Sequence, residues 1–471
     1  MNVVIIGSGY VGLVTGCCLA EAGNSVTCVD RDAKKVAELA AGRLPFYEPE
    51  LGQLLKTQLA NGLLKFDTSM ASAVAHADVV FLAVGTPSND DGSADVSNLL
   101  ACARRLGDVI AGDCLVVVKS TAPVGTSDRI EKILNTSERQ AGARRAIRVA
   151  CNPEFLAEGR AVRDFRYPDR IVIGANDAHS SSVLARLYAP FDTDGRRTLL
   201  MDRHSAEFAK YACNAMLAAR ISMINELSSL AGMLGADIAS ICGVLRGDPR
   251  IGASYLRPGI GYGGSCLPKD LSALIDLAQH TGEPAHMLRS IERVNMSQRQ
   301  RLLKAIRDYF KGCLRGRRVA IWGLSFKPGT DDVRASPSVA LIRDLAQEGA
   351  SVNAYDPVAR PTAQAALGDV QVSFGQSAMA VCEQADALIV MTEWDEFRSP
   401  DLGRLATLMR GNMVFDARTL YKTKRLLQHG LDHYRLGQIM SVSCDHKANG
   451  SLSAVDRAYR GLGPLAERSL I

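Results

Sequence analysis

The sequence predicts an α/β protein with two parallel, doubly wound sheets joined by a long helical span. Three observations carry that reading. The chain opens on an apolar run, a glycine-rich turn and a helical pattern. Strand-like runs then alternate with helical ones to about residue 203. After residue 314 the alternation resumes, so a second unit of the same kind follows a helix-rich middle.

The first unit begins with a strand over Asn2–Ile6, the turn Gly7-Ser8-Gly9-Tyr10-Val11-Gly12 and a helix through Ala22. A second strand, Ser25–Val29, ends at Asp30. Glycines of this spacing allow a tight turn and close approach of backbone to a pyrophosphate at a helix N-terminus, and the acid suits ribose hydroxyls. Asp30 favours NAD, because a 2′-phosphate would meet its charge; Arg31, next in sequence, softens that preference. Tyr10 either packs against the turn or donates a hydrogen bond from its phenol. Further strands are predicted at Asp78–Val84, Cys114–Lys119, Arg148–Cys151, Arg170–Gly174 and Thr198–Met201. The loops beyond them, Gly85-Thr86-Pro87, Ser120–Pro123 and Asn152–Gly159, occupy the end of the sheet where ligands bind.

A helix is predicted from about Ser205 to Leu234, on the order of 45 Å long. It is apolar on too much of its surface to stand alone in water, which points to a linking role and a dimer interface. Lys210 and Asn214, four apart, share one face. Lys210 is either a solvated surface group or an inward one among Phe208, Tyr211, Ala212 and Met216. Farther on, Gly261-Tyr262-Gly263-Gly264-Ser265-Cys266-Leu267-Pro268-Lys269-Asp270 sets a cysteine between a glycine-rich turn and a helix start, with Pro268 at the first helical position. A helix N-terminus and Lys269 both favour the thiolate of Cys266, the nucleophilic form. Most of the twelve cysteines must be structural; this loop position is unusual for one.

The second unit follows a basic amphipathic stretch near Gln298–Lys311. A strand at Arg318–Gly323, a loop at Leu324–Arg334, a helix at Ser336–Glu348 and a strand at Ser351–Asp356 echo the N-terminal unit without its glycine motif. Strands at Ala387–Thr392 and Met413–Ala417 continue it. The organisation expected is a dinucleotide-binding Rossmann-like domain over 1–203, a helical dimerisation region with the cysteine loop over 204–314, a second Rossmann-like domain over 315–442, and a loosely ordered tail over 443–471.

With 47% hydrophobic and 22% charged residues, the composition is that of a soluble globular protein. No apolar run is long enough to span a membrane. The N-terminus lacks the basic start of a signal peptide and enters a strand directly. Scattered cysteines without a CxxC pair predict neither a disulfide framework nor a zinc site and fit a reducing cytoplasm. A net charge of +5 without a basic run is a poor basis for nucleic-acid binding.

Taken in order, the Gly7–Gly12 turn, the Asn152–Gly159 loop, the Lys210/Asn214 pair and the Gly263–Asp270 loop resemble the UDP-glucose/GDP-mannose dehydrogenase family over roughly residues 1 to 435. Asp248–Gly252 and Pro168–Gly174 resemble its UDP-glucose branch. The resemblance implies a homodimer through the central helices and a four-electron, NAD-dependent oxidation of UDP-glucose to UDP-glucuronate, a precursor of acidic polysaccharides. GDP-mannose or a UDP-N-acetylhexosamine is the alternative substrate. It implies that Cys266 carries first a thiohemiacetal and then a thioester.

The resemblance also implies roles for individual residues. Lys210 and Asn214 would stabilise the oxyanion, Thr121 and Asp270 would position water, and Glu154 or Glu158 would assist hydrolysis. NAD would meet Gly7, Gly9, Tyr10, Val11, Gly12, Asp30, Lys35, Thr86, Thr121, Glu158, Lys269 and Arg334. The sugar nucleotide would meet the Glu154-Phe155-Leu156 run, Glu158, Lys210, Asn214, Tyr255, Arg257 and Gly259–Gly263. Phe326, Lys327 and Arg418 would hold its uracil, phosphate or ribose, and Arg250 would reach into the neighbouring subunit's site. A two-electron hydroxyacid dehydrogenase and a catalytically inert NAD-binding regulator are the competing readings. NADH formed per sugar, two, one or none, separates all three.

Overall fold

The structure, a computed structural model, describes residues 1–110, 113–136 and 147–437. The expected tail over 443–471 lies outside them. The first sheet has eight strands: β1 (Asn2–Ile6), β2 (Ser25–Val29), β3 (Leu64–Asp67), β4 (Val79–Leu82), β5 (Leu115–Val118), β6 (Arg148–Cys151), β7 (Ile171–Gly174) and β8 (Thr198–Met201). Their order is β3-β2-β1-β4-β5-β6-β7-β8. β4 and β5 are unbroken apolar runs, VVFL and LVVV, buried at every position. That is the pattern of strands covered on both faces.

One junction departs from the expected parallel sheet. β6 and β7 are antiparallel, paired at Cys151 and Gly174. The chain between them, residues 152–170, holds the six-residue helix Ala161–Arg166 and the Asn152–Gly159 loop. β3 was not anticipated. It pairs at the sheet edge with β2, from Val26 opposite Leu64 to Val29 opposite Asp67.

The second sheet is wholly parallel. It contains β9 (Arg318–Trp322), β10 (Ser351–Tyr355), β11 (Val372–Phe374), β12 (Ala387–Val390), β13 (Met413–Asp416) and β14 (Asp432–Arg435), ordered β11-β10-β9-β12-β13-β14. Its core includes Trp322 stacked on Phe397 at 5.3 Å, with the indole N–H donating to the Ala378 carbonyl.

Between the sheets runs a helix over Arg203–Met233, started by the Asp202 carboxylate accepting from the Ser205 N–H. Helices Leu267–His280 and His286–Tyr309 pack on it. Tyr211, Ala215 and Ala218 meet Leu271, Leu274 and Ile275 in a shared apolar cluster. No helix among the described residues is long and apolar enough to cross a membrane.

Candidate active site

The Gly7–Gly12 turn is built as its spacing predicts. Gly7 has φ +104, and a Cβ there would stand 2.7 Å from the Ala83 carbonyl oxygen. A Cβ on Gly12 would collide with the Gly7 carbonyl, so this glycine sets the close packing of helix on strand. Gly9 faces open space. A cavity of about 420 Å³ beside it is lined by Gly7, Gly9, Asp30, Arg31, Lys35 and Gly85, among others. Asp30 accepts from the Ser8 N–H at 3.0 Å and from Lys35 Nζ at 2.6 Å. Burial opposes its charge, but Lys35 and the backbone donors Asp32 and Ser8 hold it below the usual carboxylate range. These groups fit a dinucleotide: open backbone for the phosphates and an ionised acid at the end of β2.

A second cavity, about 490 Å³, lies where the two sheets and the central helices meet. Leu156, Glu158, Lys210, Asn214 and Cys266 line it. So do Tyr255, Arg257, Gly259 and Gly263 of the glycine loop, and Phe326, Lys327 and Arg418 of the second unit. Cys266 caps the helix Leu267–His280, which places Pro268 at its second position rather than its first. A glycine pair closes the gap between the two halves. Gly159 has φ +84 and Gly329 has φ +82, and a Cβ built on either would come within 3.0 Å of the other's backbone.

Charge in this cavity is tightly partitioned. Lys210 is inward, 3% exposed, and its Nζ donates to Glu154 Oε1 at 3.0 Å. Burial works against the ammonium, yet Glu154, Cys266 and Asp270 outweigh it and hold Lys210 above the usual lysine value. Burial would likewise raise Glu154, but Lys210 and the Leu156 N–H hold it low. Glu158 is the opposite case. Burial and the neighbouring Asp332 push it up to about 7, against Arg334 and Lys327. Its carboxylate accepts from Ser265 Oγ at 3.2 Å and Thr330 Oγ1 at 3.3 Å.

The expectation that Cys266 is held as thiolate is not met. Burial, reinforced by Glu154, pushes the thiol above its ordinary value, and Lys210 opposes this only in part. Lys269 does not serve it, because its Nζ lies 2.5 Å from Asp270 Oδ1. Asp270 also accepts from Asn214 Nδ2 at 2.6 Å and is 1% exposed, so it orients Asn214 from behind.

Several predicted residues lie away from both cavities. Thr86 Oγ1 donates to the Thr121 carbonyl at 2.7 Å, which ties two loop ends of the first sheet together. Phe155 lies under Arg170, 4.0 Å from guanidinium to ring centre. Arg250 is bound to Asp248 with its side chain 87% exposed, while Arg220 of the long helix holds the Ile251 and Gly252 carbonyls beside it. Glu158, Lys269 and Arg334, expected to meet NAD, are not among the residues lining the cavity at Asp30. Arg418 lines the larger cavity but also bridges the Met391, Phe326 and Gly261 carbonyls.

Glu48 was missed. Its buried carboxylate accepts from Tyr10 Oη at 2.5 Å, from the Gly159 N–H at 2.6 Å and from the Ala161 N–H at 2.7 Å. Tyr10 therefore both packs, against Phe46 at 5.2 Å, and donates. No local pattern marks Glu48, whose partners lie 38 to 113 residues away.

A dinucleotide-binding sheet joined to a half-buried cysteine beside a buried lysine–carboxylate pair defines an NAD-dependent dehydrogenase of the α/β class. Comparison with known proteins is more specific. Residues 1–192, 204–297 and 320–423 match, in turn, the NAD binding, central and UDP binding domains of the UDP-glucose/GDP-mannose dehydrogenase family. The chain belongs to that family. It is 44% identical over 452 residues to a UDP-glucose 6-dehydrogenase of Pseudomonas aeruginosa, covering 95% of this chain and all of that one. Over 441 residues it is 38% identical to a UDP-glucose 6-dehydrogenase of Rhizobium meliloti, covering 93% and 100%. A solved UDP-glucose dehydrogenase from Pyrobaculum islandicum superposes with TM-score 0.83 at 38% identity, covering 90% of this chain and 95% of that chain.

Proposed function

We propose that this protein oxidises UDP-glucose to UDP-glucuronate by two successive hydride removals through a covalent cysteine intermediate. The observation that carries the reading is the sharing of one cavity by Cys266, Lys210, Asn214 and Glu158, with Phe326, Lys327 and Arg418 of the second unit beside them. A nucleophile placed there retains an aldehyde that a two-electron dehydrogenase would release. The names of the relatives support the substrate.

NAD, held by the Gly7–Gly12 turn and Asp30, supplies the hydride acceptor for each of the two oxidations. The C6 hydroxyl proton passes to water as the first hydride leaves. Cys266 Sγ then adds to the aldehyde carbon, and its proton is released to solvent. Lys210 and Asn214 donate to the developing C6 oxyanion. Loss of the second hydride leaves a thioester. Water adds to its acyl carbon, the C–S bond breaks, and the thiolate and carboxylate separate. Glu158, with its pKa near neutrality, is suited to take the proton of that water, whereas Glu154 is committed to Lys210.

The working unit is a homodimer through the central helices. Met216, Met223 and Leu230, seven residues apart on the long helix, are 65%, 58% and 47% exposed, an apolar stripe that suits burial against a second copy. The outward Arg250 would complete the partner's substrate site. Unpaired cysteines throughout the described residues fit a reducing compartment.

The test is the yield of NADH per UDP-glucose run to completion with excess NAD. Two per sugar, lost in Cys266→Ala, is expected. One per sugar would reduce the protein to an alcohol dehydrogenase. None would move the substrate to GDP-mannose or a UDP-N-acetylhexosamine.

A further inference from the structure

A third cavity, about 700 Å³, is formed largely by the helix His286–Tyr309 and the helix Pro337–Gln347. It shares Tyr262 with the substrate cavity. Four arginines line it, Arg293, Arg299, Arg334 and Arg343, and no carboxylate does. Arg334 is paired with Asp332 at 2.8 Å, and Arg299 has Asp344 at 3.4 Å. Among the described residues, Arg293 has no carboxylate partner and Arg343 donates only to the Ala366 carbonyl. One exposed arginine is an ordinary solvated residue. Two guanidinium groups facing one concavity without a carboxylate partner, Arg293 and Arg343, leave it a net positive potential beside the two paired arginines, and guanidinium groups take phosphate or carboxylate in paired hydrogen bonds.

Asn295, also in this lining, grips the substrate loop. Its Oδ1 accepts from the Tyr262 N–H at 2.8 Å, and its Nδ2 donates to the Tyr262 carbonyl at 3.1 Å. Gly261, φ +94, is needed here because a Cβ would collide with that same Oδ1. An anion in the cavity would compete with the Tyr262 carbonyl for Asn295 Nδ2. The loop that lines the substrate cavity would then lose one of its two ties to the helix.

We propose that this cavity is an effector site for a small polyanion bearing paired phosphate or carboxylate groups, and that Asn295 transmits its occupancy to the substrate loop. Occupancy weakens sugar-nucleotide binding, and by linkage the sugar nucleotide weakens the anion by the same factor. The kinetic half of this proposal rests on the UDP-glucose reading above; the site itself does not.

The probe is inorganic pyrophosphate. It is titrated calorimetrically into the full-length protein and into the double variant Arg293→Ala/Arg343→Ala, and the KM for UDP-glucose is measured with and without it. The expected result is a binding event lost by at least tenfold in the double variant. A rise of at least threefold in KM for UDP-glucose, with KM for NAD unmoved, should accompany it. Asn295→Ala should keep the binding event and lose the KM shift. Identical isotherms for wild type and double variant would overturn the site. A KM shift that persists in the double variant would mean competition in the substrate cavity and overturn the coupling. Failure to oxidise UDP-glucose would refute the proposed reaction while leaving the isotherms to decide the site.

Discussion

Glu154 and Lys210 form a buried ion pair at 3.0 Å, each side chain less than a tenth exposed. Glu158, four residues along the same loop, has no such tie to lysine and titrates near neutrality. One short loop thus holds one carboxylate below its usual range and raises another to about 7.

Removing one member of a buried pair leaves the other uncompensated. Glu154→Ala should therefore destabilise the protein by roughly 3–5 kcal/mol. Glu154→Gln, which keeps an acceptor for Lys210, should cost less. Thermal unfolding of both variants checks this, and an unchanged melting temperature in Glu154→Ala would show that the pair contributes little.

Glu158 acts as a base only when deprotonated. Its pKa of about 7 gives a sign: turnover should rise with pH through neutrality and level off above it. A pH profile of kcat under conditions where hydrolysis limits the rate should show that limb, and Glu158→Gln should lose it. A flat profile from pH 6 to 8 in the wild type would remove Glu158 from this role.

The Cys266 thiol lies above its ordinary value, so its reaction with iodoacetamide in the resting protein should climb steeply only in the alkaline range. Lys210 opposes the upward shift, so Lys210→Ala should move the alkylation profile to still higher pH. Rapid alkylation at neutral pH would show that the thiolate forms without substrate.

Asp30→Ala should raise the KM for NAD about tenfold, roughly 1.4 kcal/mol, with the KM for UDP-glucose nearly unchanged. The carboxylate lies in the cavity of the first sheet and does not line the cysteine cavity. Parallel loss of both substrates would contradict separate sites.

Charges placed in the apolar stripe should break the proposed dimer. Met216→Asp combined with Met223→Asp should sediment as a monomer and lose activity if Arg250 serves the neighbouring site. A variant that remains dimeric would exclude this face as the interface.

Much of this was legible in sequence because it is written in local spacing. The glycine turn, Asp30, the Lys210/Asn214 pair and the cysteine loop each lie within one or two elements. What escaped depends on distance or burial. β3, β11 and β14 are three- or four-residue strands whose identity comes from their neighbours in the sheet. Glu48 acts on backbone groups more than a hundred residues away. The thiolate expectation for Cys266 failed because helix position and Lys269 are local features, whereas desolvation and Glu154 come from the assembled cavity.

The contact between Gly159 and Gly329 has a mechanical consequence. Two bare backbones meet there, with no room for a side chain between them. A single methyl group at either position would act as a wedge and hold the jaws apart by its own thickness. On the proposed four-electron reaction, bulk solvent would then gain entry to the sulfur before the second oxidation, and aldehyde would begin to leak.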